Sequence, residues 1–487
     1  MALSNLGSIV LNILIFITTL VNFSYALTTL EPLILLALYG ISKVFATAPE
    51  EGIFAKCQHR HLEDEYFRQD AQTNNAQQRT VSETGRPTSA DVNNNMLMNG
   101  GPSLEETIAK EVGTKIVGLR DRISCYTWTW FTMTMATGGM ANVLHSIPFR
   151  SDWLRIIGVV IMLFNISLFL MNCTFLTLRF IWNPGSFTAS FKSQRESLFI
   201  PACVVSIGTI LINICQYGIP ETGEWLQTTM QIFFWIYAAI AFLASAGIYL
   251  VIWSTQTFPI QSMTPIWAYP LLILGPFASN LIDAVPDAAA ATRISSLSIA
   301  LGAVTLQGTG FCVSLMIYSA FIYRLMTQKL PREVTRPGMF VSVGPSGFTV
   351  AGLVHIGNVL QTKVMPNGYL GHPDTGFFLK LIADLVGLWL WGLCLWFFIV
   401  SVGAHHKLMR PNNPKHHLQY DMTWFSFVFP NTAMITATQA IGNAFDSQAI
   451  KIVGTAMSGL LVLVWLFVFF MMFRALWHKK LLWPEEK

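Results

Sequence analysis

The chain is short of charge. Only 11% of its 487 residues are Asp, Glu, Lys or Arg, against about 25% in soluble domains. So few charges cannot cover a water-facing surface of this size, which excludes a soluble globular protein. Disulfide and zinc signatures are absent too. The seven cysteines follow neither spacing, and most sit in apolar segments as small packing residues. There is no HExxH and no GxSxG, and "VGPSG" at 343–347 lacks the Lys-Ser/Thr pair of a phosphate loop. The His pairs at 405–406 and 416–417 and the "CQHRH" at 57–61 have no four-ligand spacing and read as solvated loop histidines. An enzyme is therefore not expected, nor are a metal, a cofactor or a nucleic-acid partner.

What is abundant is apolar sequence, 53% of the chain. A helix needs roughly 20 mostly apolar residues to cross a bilayer. From Ser124 onward ten stretches qualify: 124–147, 153–179, 198–217, 225–253, 264–286, 295–324, 337–361, 376–404, 422–445 and 449–476. With the preceding segment placed inside, the inner connections and tail, including Arg179, Arg324, Arg336 and Lys407, hold more than twice the Lys and Arg of the outer ones. The positive-inside rule thus puts both ends of this core in the cytoplasm. The expectation is an all-α polytopic membrane protein with the lipid bilayer as its main partner.

The chain divides into 1–49, 50–102, 103–123, 124–478 and 479–487. Residues 50–102 are polar, with stretches such as "QTNNAQQRTVSETGRPTSADVNNN" that cannot bury enough apolar surface to fold; they read as a disordered cytosolic linker. Across 103–123, Ser103 and Glu106 have capping-box spacing, and Leu104, Ile108, Val112 and Ile116 recur at helical spacing. An amphipathic helix on the inner membrane surface is expected there. Residues 1–49 hold two apolar runs, and three readings stay open. They form a helical hairpin, or a signal peptide followed by one span, or they are absent from the working protein. Residues 479–487 are a short cytosolic tail.

The odd-numbered spans differ from the even ones. The third, fifth, seventh and ninth carry Pro201, Pro270, Pro345 and Pro430, and the first carries the pair Gly138–Gly139. Even spans such as "LVLVWLFVFFMMFRALW" are greasy and unbroken. Irregular backbone survives at membrane depth only when buried in protein or lining a wet cavity. We therefore expect five kinked inner helices and five lipid-facing outer ones, arranged as five helical hairpins around a central pore.

The polar residues of the inner spans fall on shared arcs at 100° per residue. In the ninth these are Asn431, Thr432, Thr436, Thr438 and Gln439; in the first, Thr134, Thr137, Gly138, Asn142 and His145; in the seventh, Ser342, Ser346 and Thr349. Together they read as a passage lined by hydroxyls, amides and backbone N–H, which are anion donors without full charge. Each hydroxyl taken singly also fits a helix–helix or back-bonding contact. Arg336, just before the seventh span, would raise the anion concentration at the inner mouth. His145, His355 and Asp384 are candidate proton-coupling groups or structural partners. Asp283 and Asp287 lie near the outer end of the fifth span.

Several segments, "YTWTWFTMTMATGGMANVLHSIPFR", "GIPETGEWL", "LQGTGFCVSLMIYSAFIYRLM", "TRPGMFVSVGPSGFTVAGLVHIGN" and "WFSFVFPNTAMITATQAIG", resemble the fungal malic acid transport proteins. Those belong to the tellurite-resistance/dicarboxylate transporter family, with its fungal sulfite exporters and plant slow-type anion channels. The resemblance spans about 104–480 and leaves out 1–100. It implies ten helices as five hairpins around a pore, a homotrimer, and a ninth-helix phenylalanine that occludes the pore. That position is Phe429, beside Pro430. The implied function is plasma-membrane transport of C4-dicarboxylates, chiefly malate, either proton-coupled or voltage-driven. The alternative is a gated channel or exporter for small anions such as sulfite or chloride. A sensor or scaffold that does not transport would have no need of lined polar arcs. One departure stands out: the malate transporters commonly carry an acidic "EIG" where this chain has Gln439 in "QAIG".

Overall fold

The computed structural model describes residues 117–483, except 223, 256–267, 286–293, 329, 332, 367, 370 and 407–419. The N-terminal apolar runs, the polar linker, most of the 103–123 segment, Asp287, and the histidines at 57–61 and 416–417 lie outside the described residues. Among the described residues there is no β-strand, only an isolated bridge between Tyr369 and His372. The fold is helical throughout.

A helix stands at each candidate position: α1 Phe131–Ser146, α2 Asp152–Trp182, α3 Ile200–Asn213, α4 Glu224–Thr255, α5 Leu274–Asp283, α6 Ser296–Gln328, α7 Gly344–Val359, α8 Thr375–His405, α9 Phe429–Ala444 and α10 Gln448–Trp477. Among the described residues, seven stretches are long and apolar enough to cross a membrane: Asp152–Trp182, Ile200–Thr222, Glu224–Val251, Ser296–Gln328, Thr335–Val364, Thr375–His405 and Gln448–Trp477. The helices α1, α5 and α9 fall short. α1 and α9 have 16 residues each, and α5 is parted at Ile273 from the short helix Tyr269–Leu272. At 1.5 Å per residue, 16 residues reach about 24 Å. Tighter turns extend them: Trp128–Trp130 before α1 and Met422–Phe427 before α9 are 3₁₀, which rises about 2 Å per residue.

Burial separates two kinds of helix. Nearly every residue of α1 and α9 is buried, and so is most of α3, α5 and α7. The helices between them are 30 to 33 residues long and expose apolar side chains such as Val160 and Leu163 on α2, Trp389 and Ile399 on α8, and Leu463 and Phe470 on α10. A continuous apolar exterior of this kind faces hydrocarbon comfortably and water poorly.

The five buried helices touch in a closed cycle: α1 with α3, α3 with α5, α5 with α7, α7 with α9, and α9 back to α1. They run in one direction. Ser206 bonds Phe131 O and Asn213 bonds Gly138 O, an equal advance along both chains. Small residues allow the approach. A Cβ on Gly347 of α7 would lie 2.8 Å from the Ala433 carbonyl carbon of α9, and one on Gly139 would lie 2.7 Å from Thr432 Oγ1.

The prolines do something other than kink. Pro201, Pro270, Pro345 and Pro430 all occupy the first or second position of their helices. There the missing N–H has no helical acceptor to lose, and the fixed φ suits the start. Apart from the break at Ile273, the interruptions expected within the inner spans are therefore helix starts that follow an irregular lead-in. True irregularity comes later, as π-turns at Ile214–Gly218 after α3 and Leu360–Val364 after α7.

Arg179, counted from sequence among the inner-face cations, is buried. It donates twice to Glu196, at 2.9 and 2.8 Å, and the side chains are 1% and 5% exposed. Removing one partner of such a pair leaves a buried charge uncompensated. Arg179→Met is expected to destabilise the protein by about 3–5 kcal/mol, and Arg179→Met with Glu196→Leu to recover most of that. Gly347→Val is expected to cost about 1–3 kcal/mol or more, because the obstacle is backbone and cannot swing away. Thermal unfolding in detergent checks both; unchanged unfolding temperatures would contradict the packing argument.

Candidate functional site

Phe429 opens α9 and is fully buried. Its ring lies 5.0 Å from that of Phe348 on α7 and 5.6 Å from that of Tyr269, and the latter two rings are 6.0 Å apart. Three buried elements thus send one ring each to a common point. Tyr269 is held there: its hydroxyl donates to Val341 O at 2.6 Å, and Gly344 leaves no room for a Cβ against its ring. Beside Phe429 and Pro430 is a small cavity bounded by Thr132, Met135, Tyr269, Val341 and Ser426. Its lining is mixed but mostly apolar, and a ring cluster of this type excludes water.

The polar arcs divide among several neighbours. On α9, Asn431 Nδ2 donates to Phe427 O at 2.8 Å, Thr432 Oγ1 to Phe429 O at 2.6 Å, and Thr436 Oγ1 to Thr432 O at 3.0 Å. Thr438 accepts from Trp391 Nε1 of α8 at 3.0 Å. Gln439 Nε2 donates to Ser458 Oγ of α10 at 2.9 Å. On α1, Thr137 accepts from Trp465 Nε1 of α10 at 3.3 Å, and Gly138 packs on Asn165 and Thr209. Ser346 Oγ is 3.4 Å from Val343 O, and Thr349 bonds Pro345 O at 2.7 Å. An arc as wide as that of α9 meets two ring neighbours and an outer helix as well as the axis. Thr137, Thr438 and Gln439 therefore hold outer helices in place.

Asn142 behaves differently. Its Oδ1 accepts from Gln216 Nε2 at 2.6 Å, and the same nitrogen donates to Asn280 Oδ1 at 3.0 Å. Three amides from α1, the π-turn after α3, and α5 meet there. Sequence reading missed Gln216 and Asn280, as it missed Tyr269 and Phe348. One signal was available for Tyr269: "YP" opens the helical part of the fifth span as "FP" opens that of the ninth. Nothing local marks Gln216, because the π-turn that aims it is not visible in periodicity.

The titratable candidates have different direct partners. His145 stacks edge-on against Tyr217 at 5.4 Å. His355 Nε2 lies 3.4 Å from Asp283 Oδ2, and Lys363 Nζ 3.1 Å from Asp283 Oδ1. Asp384 pairs with Lys380 on its own helix at 2.7 Å. Arg336 is half-buried in the 3₁₀ segment Glu333–Val343 and donates to Pro331 O at 3.1 Å. That segment packs on Met422–Phe427, at the Phe429 end of the ring. The amides and the Asp283 group lie toward the other end. Among the described residues, no group of three His, Cys, Asp or Glu side chains is placed to hold a metal.

Known proteins share this arrangement of sequence. The chain is 29% identical to the "Malic acid transport protein" of Schizosaccharomyces pombe over 371 residues, 76% of this chain and 83% of that one. A "Putative malic acid transport protein" of the same organism is 28% identical over an equal length, covering 76% of this chain and 84% of its own. The "Sulfite efflux pump SSU1" of Trichophyton rubrum is 24% identical over 343 residues, 70% of this chain and 88% of that pump. The family profile described as "Voltage-dependent anion channel" (SLAC1) matches residues 125–473. With most of its length matched, and a ring of buried helices within the match, the chain belongs to the SLAC1 voltage-dependent anion channel family.

Proposed function

We propose that the ten helices form five hairpins around a pore that carries C4-dicarboxylates, chiefly malate, across the plasma membrane. In this reading the core termini are cytoplasmic and the protein is a homotrimer. The observation that carries it is the convergence of Phe429, Phe348 and Tyr269 inside the ring of buried helices. Such a plug closes a path by excluding water and opens when a ring turns aside. Malate is favoured over other anions by the relatives named for malic acid transport. The second reading, a channel or exporter for small anions such as sulfite or chloride, is favoured by the sulfite pumps at lower identity.

Each part has a role in this reading. Arg336 attracts the anion to the mouth nearest the plug. Asn431, Thr432, Thr436, Gly138 and Ser346 line or shape the path beyond Phe429 and Pro430. Thr137 and Gln439 position the lining helices against α10. Among His145, His355 and Asp384, proton coupling is assigned first to His355 of α7, which faces Asp283 of the adjoining α5.

Radiolabelled malate is expected to enter liposomes containing the pure protein. Uptake no greater than in empty liposomes, with or without a pH gradient or voltage, would sink the carrier reading. Phe429→Ala is expected to raise anion flux severalfold at equal protein level, and reduced or unchanged flux would argue against occlusion by that ring. Arg336→Gln is expected to lower uptake most at low ionic strength, since screening over about 10 Å at 0.1 M salt weakens steering. An effect independent of salt would point to local packing instead.

A further inference from the structure

The amide cluster contains an acceptor that no group among the described residues satisfies. Asn280 Nδ2 donates to Pro276 O at 2.7 Å, which turns its Oδ1 toward Gln216. Gln216 Nε2 then uses its two N–H bonds on Asn280 Oδ1 and Asn142 Oδ1. Only the NH₂ group can face two oxygens, so the orientation of the Gln216 amide is fixed by its partners. Its Oε1 is left buried without a hydrogen bond. Such an atom is rare in a folded protein and calls for a partner. Gln216 itself is 7% exposed, and Asn142 9%.

Resting on the dicarboxylate reading above, we propose that Gln216 Oε1 is a substrate-recognition atom that accepts a hydrogen bond from an O–H carried by the transported acid. A carbonyl oxygen repels an ionised carboxylate and attracts an O–H. The site therefore prefers an anion that also bears a hydroxyl or a protonated carboxyl. Its surroundings suit an anion with such a group. Asn142 stands one turn before His145, and Asn280 one turn before Asp283. Arg150, Asp283 and His355 are each within electrostatic reach of His145, and Lys363 is bound to Asp283. The substrate's ionised end can stay near these mixed charges while its O–H meets Gln216. The π-turn Ile214–Gly218 places the amide there, and such turns recur at functional sites.

Malate and succinate differ by one hydroxyl, so they test the idea directly. The full-length protein in detergent is titrated with each acid, with thermal stabilisation as the readout, and uptake is measured in parallel in liposomes. Near neutral pH both carboxyls of each acid are ionised. Malate is then expected to act at about a fivefold lower concentration than succinate, the worth of one net hydrogen bond. In acid, where succinate regains a carboxyl proton, the gap is expected to close. Gln216→Met is expected to remove the gap at neutral pH; if that variant does not fold, the wild-type closure in acid remains decisive. Equal action of the two acids on the wild type, or a gap retained in Gln216→Met or in acid, overturns the assignment and leaves Oε1 to a bound water. A gap in stabilisation without uptake overturns the carrier reading but supports the site. Uptake without a gap overturns the site alone, and the absence of both binding and uptake overturns both.

Discussion

The close approach of the buried helices is the constraint on which the rest depends. In hydrocarbon, apolar side chains gain nothing by leaving lipid for one another, so helices associate through tight packing and polar contacts. Gly347 against Ala433 and Gly139 against Thr432 let backbones meet almost directly. Helices this near leave little room between them. A ring sent inward from one, as Phe429 is, at once meets rings from its neighbours. The constriction is a consequence of the packing distance.

The same closeness decides the fate of the polar groups. A buried hydroxyl needs a partner, and in the tight ring the nearest carbonyl is one turn back on its own helix. Thr349 and Thr436 take that route. Larger groups reach farther: Trp465 and Trp391 donate across to Thr137 and Thr438 and fasten outer helices to inner ones. The amides of Asn142, Gln216 and Asn280 are long enough to bridge three elements. The two ends of the ring therefore differ, with aromatic closure and Arg336 toward one, and amides with a mixed-charge group toward the other.

Much of this was legible in order, less in direction. The low charge and the ten apolar stretches pointed to a helical membrane protein, and the greasy even stretches became the long helices with exposed apolar faces. Prolines in alternate stretches marked the buried helices correctly. They were misread as kinks, because a span defined by hydropathy hides where the regular helix begins. Phe429 was legible through the resemblance, while its partners Phe348 and Tyr269 were not, since they come from elements far apart in sequence.

The sequence by itself determined the class, the alternation of buried and lipid-facing segments, and the family. The first two follow from composition and hydropathy, which every residue contributes to locally; the family follows from the matched segments over 125–473. Only the tertiary structure decided where each polar side chain points. Helical periodicity fixes the angles between residues on one helix but not the rotation of that helix against its neighbours. That rotation turned Thr137 and Gln439 toward α10. A single π-turn, which shifts every later residue by about one position, brought Gln216 between Asn142 and Asn280.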